Sequence, residues 1–545
     1  MPRTAPIFHF NSERSMLVEQ TIDRVCSHTR DPLHALNDAA YWEIRRLESS
    51  KRKRDQAELA EWRSLSRKLS RMTDAQRRER LRTLVATYAG DIAGNFDPRV
   101  YGLTTRILPS LVTGLLAPGS LPGKLRHPQD LLRLDAIADK VVVEGDTERL
   151  RKLAERGTLV FVPTHASNMD SIVFGFALEL SGLPPATYGA GKNLFTNPIL
   201  SFFMQNLGAY KVDRRLRFEL YKDCLKSYSC VLLERGYHSL FFPGGTRARS
   251  GAVEAKLKLG LAGTGIESYV RSLRAGSERK VFFVPATINY LITLEAETLI
   301  ADYLSEAGKA RFIIEDDESS RLSRVVAFVR KLFTMRGAVV VRFGAPLDPF
   351  GNAVDDEGHS LDARGRVVDT SSFVRDVTGE VSVDADRDAQ YTRELAQGIV
   401  SAYRKNTVVM ATNIVAAACF EQLRQQAPGA DLFTVLRIRD QKVPRDALAR
   451  LVLERRDALR ALEKTGDVIL AEHVRDTSGG DILAQAMSAF EGYHTSPVIE
   501  AQPDGIVLRD PKLLLYYQNR LSRHGLAFDP EAPTRNPRNT NAGAA

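Results

Sequence analysis

The chain has 545 residues, 43% hydrophobic and 26% charged, with a formal net charge of +9. That length exceeds one ordinary core, so two or three domains are expected, and the composition excludes a chiefly disordered chain. The positive balance favours polyanions: nucleic acid, anionic lipid and phosphorylated or CoA-type substrates all qualify, and charge alone does not choose among them.

The four cysteines, Cys26, Cys224, Cys230 and Cys419, are scattered and lack CxxC spacing. They argue for a reducing compartment and against a disulfide framework or a structural zinc site. The opening MPRTAPIFHFNSERSM has no continuous apolar core, so no secretory signal is expected. The longest apolar runs, at 107–118 and 408–420, fall short of the ~20 residues that span a bilayer. Contact with a membrane surface is compatible with this pattern, and crossing is not expected.

Residues 1–130 read as a helical N-terminal domain. Within them, 51–82 carry 12 Lys/Arg against 5 Asp/Glu, with Leu59, Trp62, Leu65, Leu69 and Met72 at helical spacing. The stripe reads first as packing on its own domain, with a solvated basic face. The sharper reading is an amphipathic helix on anionic headgroups. A Pro/Gly-rich stretch, APGSLPGKLRHPQD at 117–130, marks a boundary.

From 131 to 345 the pattern becomes α/β. KVVVEG, TLVFVP, HSLFFP, KVFFVPATINY and GAVVVRFG read as strands, with helices at 170–180 and 216–235. A mixed sheet is expected, with chemistry in loops beyond the carboxyl ends of strands. Residues 346–390 are polar and turn-rich and read as a loop or linker. A helical C-terminal domain is expected at 391–530 and a disordered tail at 531–545. No internal repeat is apparent.

The most informative stretch is TLVFVPTHASNMDSIVFGFALEL at 158–180. A strand ends at Pro163, His165 lies in the following turn, and Asp170 enters the first turn of an apolar helix, with Ser167 or Asn168 available to cap it. A carboxylate there is favoured by the helix dipole and reaches back to the imidazole. A histidine held by aspartate is a general base toward an alcohol. The spacing alone is weak, since His524 and Asp529 repeat it in tail-like sequence. Downstream, FFPGGTRARSG at 241–251 combines a glycine turn with Arg247 and Arg249, suited to an anion. It contains no GKS or GKT, and GAGKN at 189–193 lacks the earlier glycine, so a Walker nucleotide site is excluded. No aromatic–basic motif supports nucleic acid.

Four ordered blocks, HASNMD, GAYKVDR at 208–214, FPGGTR at 242–247 and VPATINY at 284–290, resemble those of the glycerolipid acyltransferase family. Length and the TRARSG form look most like the large, membrane-associated bacterial glycerol-3-phosphate acyltransferases and the related dihydroxyacetone-phosphate enzymes. The resemblance implies His165 as base and Asp170 as its orienting partner. It implies Arg214, Gly245, Thr246, Arg247, Arg249, Lys256 and Lys258 around the acceptor phosphate, and Gly208, Gly244 and Pro285 as shaping the site. The acyl donor would be acyl-CoA or acyl-carrier protein, passing its acyl group directly to the hydroxyl. No metal or other cofactor is implied. The partners would include an anionic membrane surface and no nucleic acid. The location would be peripheral, on the cytoplasmic side of the inner (cell) membrane.

The sequence departs from the family at Gly244, where the third block normally carries glutamate. Acceptor choice therefore stays open between glycerol-3-phosphate and a lysophospholipid or other alcohol, and a silent lipid-binding homologue is the remaining alternative. Asp213 is a candidate replacement acid. The stripe Phe195, Ile199, Phe202, Phe203 and Leu207 reads as core, or as a surface for acyl chain or membrane.

Overall fold

In this computed structural model, residues 5–102, 140–192, 198–277, 279–307 and 337–529 are described, with isolated positions between these blocks. The expected boundary at 117–130, the apolar run at 107–118 and the tail at 531–545 lie outside the described residues.

The α/β region forms a mixed seven-stranded sheet. Its strands are Val141–Glu144 (β1), Gly157–Pro163 (β2), Thr187–Gly191 (β3), Ala209–Val212 (β4), Ser239–Leu240 (β5), Lys280–Tyr290 (β6) and Val339–Phe343 (β7), in the order β1-β7-β6-β2-β5-β3-β4. Strands β2 to β6 are mutually parallel, β7 runs antiparallel to β6, and β1 is parallel to β7. The five β-branched runs read from sequence are all present. Strands β3 and β4 have weaker signals, because TYGAG spends two of its five residues on glycine. Pairing rather than propensity places them: β3 lies between β5 and β4, and β4 forms the sheet edge against β3. Every residue of β2 is buried, as a strand covered on both faces must be.

The carboxyl ends of β2, β4, β5 and β6 lie along one sheet edge, so the four sequence blocks converge there. His238, just before β5, ties β2, β3 and β5 together. Its Nδ1 accepts the Leu159 N–H at 3.0 Å, and its carbonyl accepts the Thr187 N–H at 2.8 Å. This compensates for the shortness of β5, which has two residues and carries the arginine loop.

Four N-terminal helices, Phe10–His28 (α1), Pro32–Glu48 (α2), Lys53–Lys68 (α3) and Asp74–Ile92 (α4), pack on the β4 side of the sheet. The stripe Leu59, Trp62, Leu65 and Leu69 is buried in a core shared with Tyr210, Phe218, Tyr221 and Tyr228. The apolar face is therefore spent on the protein itself. The opposite face of α3 leaves Lys53, Arg63, Arg67 and Lys68 exposed, and Arg71 is exposed in the turn that follows.

Residues 346–390 are more ordered than a linker. They contain a three-stranded antiparallel sheet, Ala353–Val354 (β8), Ser360–Leu361 (β9) and Val367–Val368 (β10). A repeated turn missed from sequence organises them: DPFGN, DDEGH, DARGR and DVTGE, beginning at Asp348, Asp355, Asp362 and Asp376. In each, the aspartate Oδ1 accepts the N–H groups two and four residues on, and the glycine takes positive φ. The segment packs at the amino-terminal edge of the sheet, where the Gly358 carbonyl accepts from Lys280 at the start of β6. It lies away from the edge where the blocks converge.

The C-terminal region combines helices, chiefly Ala385–Lys405, Ala411–Gln426, Arg445–Lys464, Gly479–Phe490 and Pro511–Gln518, with a small antiparallel sheet of Gln441–Val443, Gly505–Leu508 and Ile499–Gln502. The apolar run at 408–420 is wholly buried against β6 and its neighbours, in one hydrophobic core with the α/β layer. No helix among the described residues is long and apolar enough to cross a membrane. The segment from Pro511 onward returns to the arginine loop. Asn519 Nδ2 donates to the Ser250 carbonyl at 2.8 Å, and Arg523 Nε to that of Val253 at 3.3 Å.

Burial, reinforced by the Arg279 charge, holds the His238 imidazole down at about 3. Its folded value lies below the unfolded ~6.5, so the unfolded chain binds the extra proton first as pH falls. Stability should therefore decline from about pH 6.5 toward pH 3, this group contributing up to about 1.4 kcal/mol per pH unit. Urea unfolding across that range is expected to show the decline. His238→Asn, which keeps an acceptor without titrating, should flatten it.

Candidate active site

Beyond β2, Thr164 anchors the first block to β6. Its N–H donates to the Ala286 carbonyl at 3.0 Å and its Oγ1 accepts the Ile288 N–H at 3.0 Å. His165 follows, and its Nδ1 lies 2.7 Å from Asp170 Oδ2. Asp170 opens the helix Asp170–Leu180 and is fully buried. Its Oδ2 also accepts the N–H groups of Ala166 at 2.6 Å and Ser167 at 2.9 Å, while Oδ1 accepts the Tyr290 hydroxyl at 2.7 Å. Four donors and a helix N-terminus replace the water this carboxylate lost. Burial and the Asp170 charge push the Tyr290 hydroxyl well above its usual range, so it remains a donor.

The helix cap differs from expectation. Met169 is the N-cap, and neither Ser167 nor Asn168 caps by side chain. The Ser167 hydroxyl instead donates to Glu295 Oε2 at 2.7 Å, and the Asn168 N–H to Glu295 Oε1 at 3.0 Å. Fully buried Glu295 also pairs with Arg247 Nη1 at 3.3 Å. One carboxylate thus joins the first block to the third.

The third block closes over the imidazole. The Phe242 ring stacks on His165 with centroids 4.2 Å apart and planes 22° from parallel. The Ala248 N–H donates to the His165 carbonyl at 2.7 Å. Gly245 has φ +75°, a conformation that favours glycine, and Lys258 lies so close that a Cβ there would meet its Cδ at 2.5 Å. The Lys258 N–H holds the turn through the Pro243 carbonyl at 2.7 Å.

Of the expected phosphate ligands, Arg214 and Arg247 are brought together from separate blocks. Arg214 is depressed below the usual guanidinium range, first by desolvation and then by the like charge of Arg247. It has no ion pair among the described residues. Lys256, Lys258 and Thr246 are exposed around the same loop. Arg249 is directed elsewhere and pairs with Glu306 at 2.6 Å. Gly208 stands at the opposite end of β4 from Arg214. With φ +87°, it is surrounded by Ile7, Ala186 and Thr187, and it serves contact with the N-terminal helices rather than the site. Pro285 faces Val162 within the sheet, one residue before β6 begins pairing with β7, where a missing N–H is tolerated.

Asp213 is not the replacement acid. It binds Arg215 through both oxygens, at 2.9 and 2.7 Å, and lies 3.6 Å from Lys192. The carboxylate beside Gly244 belongs to Glu254, whose Oε1 accepts the His165 N–H at 2.7 Å. Sequence reading had assigned no role to Phe242, Glu254, Tyr290, Glu295 or Arg520. Phe242 and Tyr290 lie inside the third and fourth blocks and are legible there as neighbours of the site. Glu254, Glu295 and Arg520 had no local pattern. Arg520, on the C-terminal segment, is buried behind the pair and donates to Asn289 Oδ1 at 2.6 Å. It lines a cavity of about 30 Å³ with Ala166, Tyr290 and Tyr516, too small for a phosphorylated substrate.

Residues 141–289 match the family model described as Acyltransferase. A glycerol-3-phosphate acyltransferase of Pseudomonas aeruginosa is 28% identical over 201 residues, 37% of this chain and 22% of that protein. One from Haemophilus ducreyi is 31% identical over 204 residues, 37% of this chain and 23% of its own length. The chain thus matches less than a quarter of the length of these curated relatives. The crystal structure of a 1-acyl-sn-glycerophosphate acyltransferase from Thermotoga maritima is 16% identical, with a TM-score of 0.25, covering 58% of this chain and 94% of that one.

Tyr290→Phe removes one of the donors on a buried carboxylate. It should lower stability by about 1.5–3 kcal/mol, measured by urea unfolding. An unchanged midpoint would show that Asp170 does not rely on this hydroxyl.

Proposed function

We propose that this chain, whose acyltransferase domain belongs to the glycerolipid acyltransferase family, moves a fatty acyl group from an acyl thioester to the hydroxyl of glycerol-3-phosphate. The observation that carries this reading is the His165–Asp170 pair, with Glu295 holding Arg247 against the same block and Arg214 close enough to feel the Arg247 charge. Because Asp170 accepts from Nδ1, that nitrogen holds the ring proton and Nε2 presents its lone pair. No partner among the described residues occupies Nε2.

In this reaction Nε2 removes the acceptor's hydroxyl proton while the oxygen attacks the thioester carbonyl carbon. The C–S bond then breaks, and the imidazolium returns the proton to the departing thiolate. Asp170 stabilises the imidazolium without taking its proton. Arg214 and Arg247 supply planar, charged donors for the phosphate, and the repulsion between them is relieved when a dianion binds. The relatives' printed activity supports glycerol-3-phosphate as acceptor. CoA and carrier-protein thioesters are both compatible with the chemistry.

The direct test is acyl transfer by purified protein with anionic vesicles, palmitoyl-CoA or palmitoyl-carrier protein, and radiolabelled glycerol-3-phosphate. Wild type should form labelled lysophosphatidate, and His165→Ala should lose about 10²–10⁴-fold in rate. Arg214→Ala and Arg247→Ala should act mainly on the KM for glycerol-3-phosphate. Full activity in His165→Ala would falsify the assignment of the base. Product formed only with lysolipid acceptors would move the substrate class.

A peripheral membrane position on the cytoplasmic side is part of the same proposal. It is supported by the exposed cations of α3 and by Phe202, which is 51% exposed on the helix Pro198–Asn206. Arg63→Gln/Arg67→Gln/Lys68→Gln should weaken flotation with anionic vesicles and leave the melting temperature within a few degrees. Equal flotation of wild type and variant would remove α3 from the contact.

A further inference from the structure

Gly244 and Gly245 are adjacent, but they are glycines for different reasons. Gly245 has a left-handed backbone; Gly244 does not, so conformation does not demand glycine there. What Gly244 provides is room. A Cβ at this position would lie 3.2 Å from Glu254 Cγ and 3.4 Å from Glu254 Oε1. The side chain of Glu254 fills the space that a side chain at 244 would enter.

From that space Glu254 acts on the histidine's main chain. Its Oε1 accepts the His165 N–H at 2.7 Å, and Ala248 in the same loop donates to the His165 carbonyl at 2.7 Å. The loop thus grips His165 at both its N–H and its carbonyl. Glu254 Oε2 is buried and has no hydrogen-bond partner. Burial pushes the carboxyl above its ordinary range, and the His165 N–H together with the Arg520 and His165 charges pull in the opposite direction. A carboxyl kept in so unfavourable a place, when an apolar side chain would fill it, points to a requirement for its oxygen.

We propose that Glu254 is a positioning residue for His165, and that positions 244 and 254 form a compensating pair. The loop accommodates one carboxylate side chain at this point, from either position but not from both. Glu254 touches no reacting atom and acts through the histidine peptide. The kinetic part of the proposal rests on the acyl-transfer reading above; the structural part does not.

The test uses full-length protein in four forms besides wild type: Glu254→Ala, Glu254→Gln, Gly244→Glu and Gly244→Glu/Glu254→Ala. Glu254→Ala should lower kcat about tenfold to a hundredfold, through a misplaced imidazole, with little change in KM for glycerol-3-phosphate. Glu254→Gln keeps the acceptor oxygen and should stay within about threefold of wild type. Gly244→Glu alone should lose activity by crowding, and the double variant should recover about tenfold over either single change.

Hydrogen–deuterium exchange of the His165 amide, read by mass spectrometry, follows the same pair without any substrate. Its protection should be lost in Glu254→Ala, kept in Glu254→Gln and regained in the double variant. If wild type shows no acyl transfer, the functional reading fails while this exchange pattern still decides the pair. Unchanged kcat and exchange in Glu254→Ala overturn the proposal, as does a double variant no better than its parents. If Glu254→Ala does not fold, Gly244→Ala serves instead. It adds only the crowded Cβ and should speed exchange at His165, and unaltered exchange there counts against shared space.

Discussion

The buried carboxylate of Asp170 is the constraint on which the rest of the site depends. An isolated carboxylate in this position would be expelled or neutralised, since desolvation costs several kcal/mol. It is retained because the β2 turn supplies two N–H groups and an imidazole, and β6 supplies the Tyr290 hydroxyl. Satisfying Asp170 therefore requires β2 and β6 to be in register, which their seven-residue parallel pairing provides. The same bonds set the tautomer and the direction of His165.

A second buried carboxylate carries that order outward. Glu295 joins Ser167 and Asn168 in the first block to Arg247 in the third. The loop holding Arg247 springs from a strand of two residues and would be poorly defined by its sheet alone. It is held instead by groups from distant parts of the chain: Glu295 after β6, and Asn519 and Arg523 from the C-terminal segment. Gly251 marks how close that segment comes, since a Cβ there would fall 2.2 Å from the Tyr516 carbonyl oxygen. The C-terminal region is thereby part of the framework of the site.

Charge is organised on the same principle. The net charge of +9 says only that an anion is welcome somewhere. Arg214 and Arg247, from the loops after β4 and β5, come close enough for their like charges to interact. Arg249, two residues from Arg247 and identical in type, is drawn off by Glu306. The difference between these neighbours lies in what surrounds each guanidinium.

Local pattern was sufficient for much of this. β-Branched runs, turn residues and helical spacing identify five of the seven sheet strands, the helix at Asp170 and the strand–turn–helix setting of His165, because those signals arise within a few residues of chain. The order of the four blocks likewise indicates the family. Strand β3 was hidden by its glycines, and the repeated Asp-x-x-Gly turns at 348–379 were visible but spread too widely to stand out. The pairings within the site were not legible, even where a partner such as Tyr290 lay inside a recognisable block. Tyr290 meets Asp170 across 120 residues, Ser167 meets Glu295 across 128, and Glu254 meets His165 across 89. A lone carboxylate has no periodicity, and which one fills the space at Gly244 depends on chain returning from elsewhere. By itself the sequence determined which residues were chemically able to act. Only the tertiary structure decided that Glu254 rather than Asp213 stands at Gly244, because burial and long-range hydrogen bonding, not spacing, select among equivalent side chains.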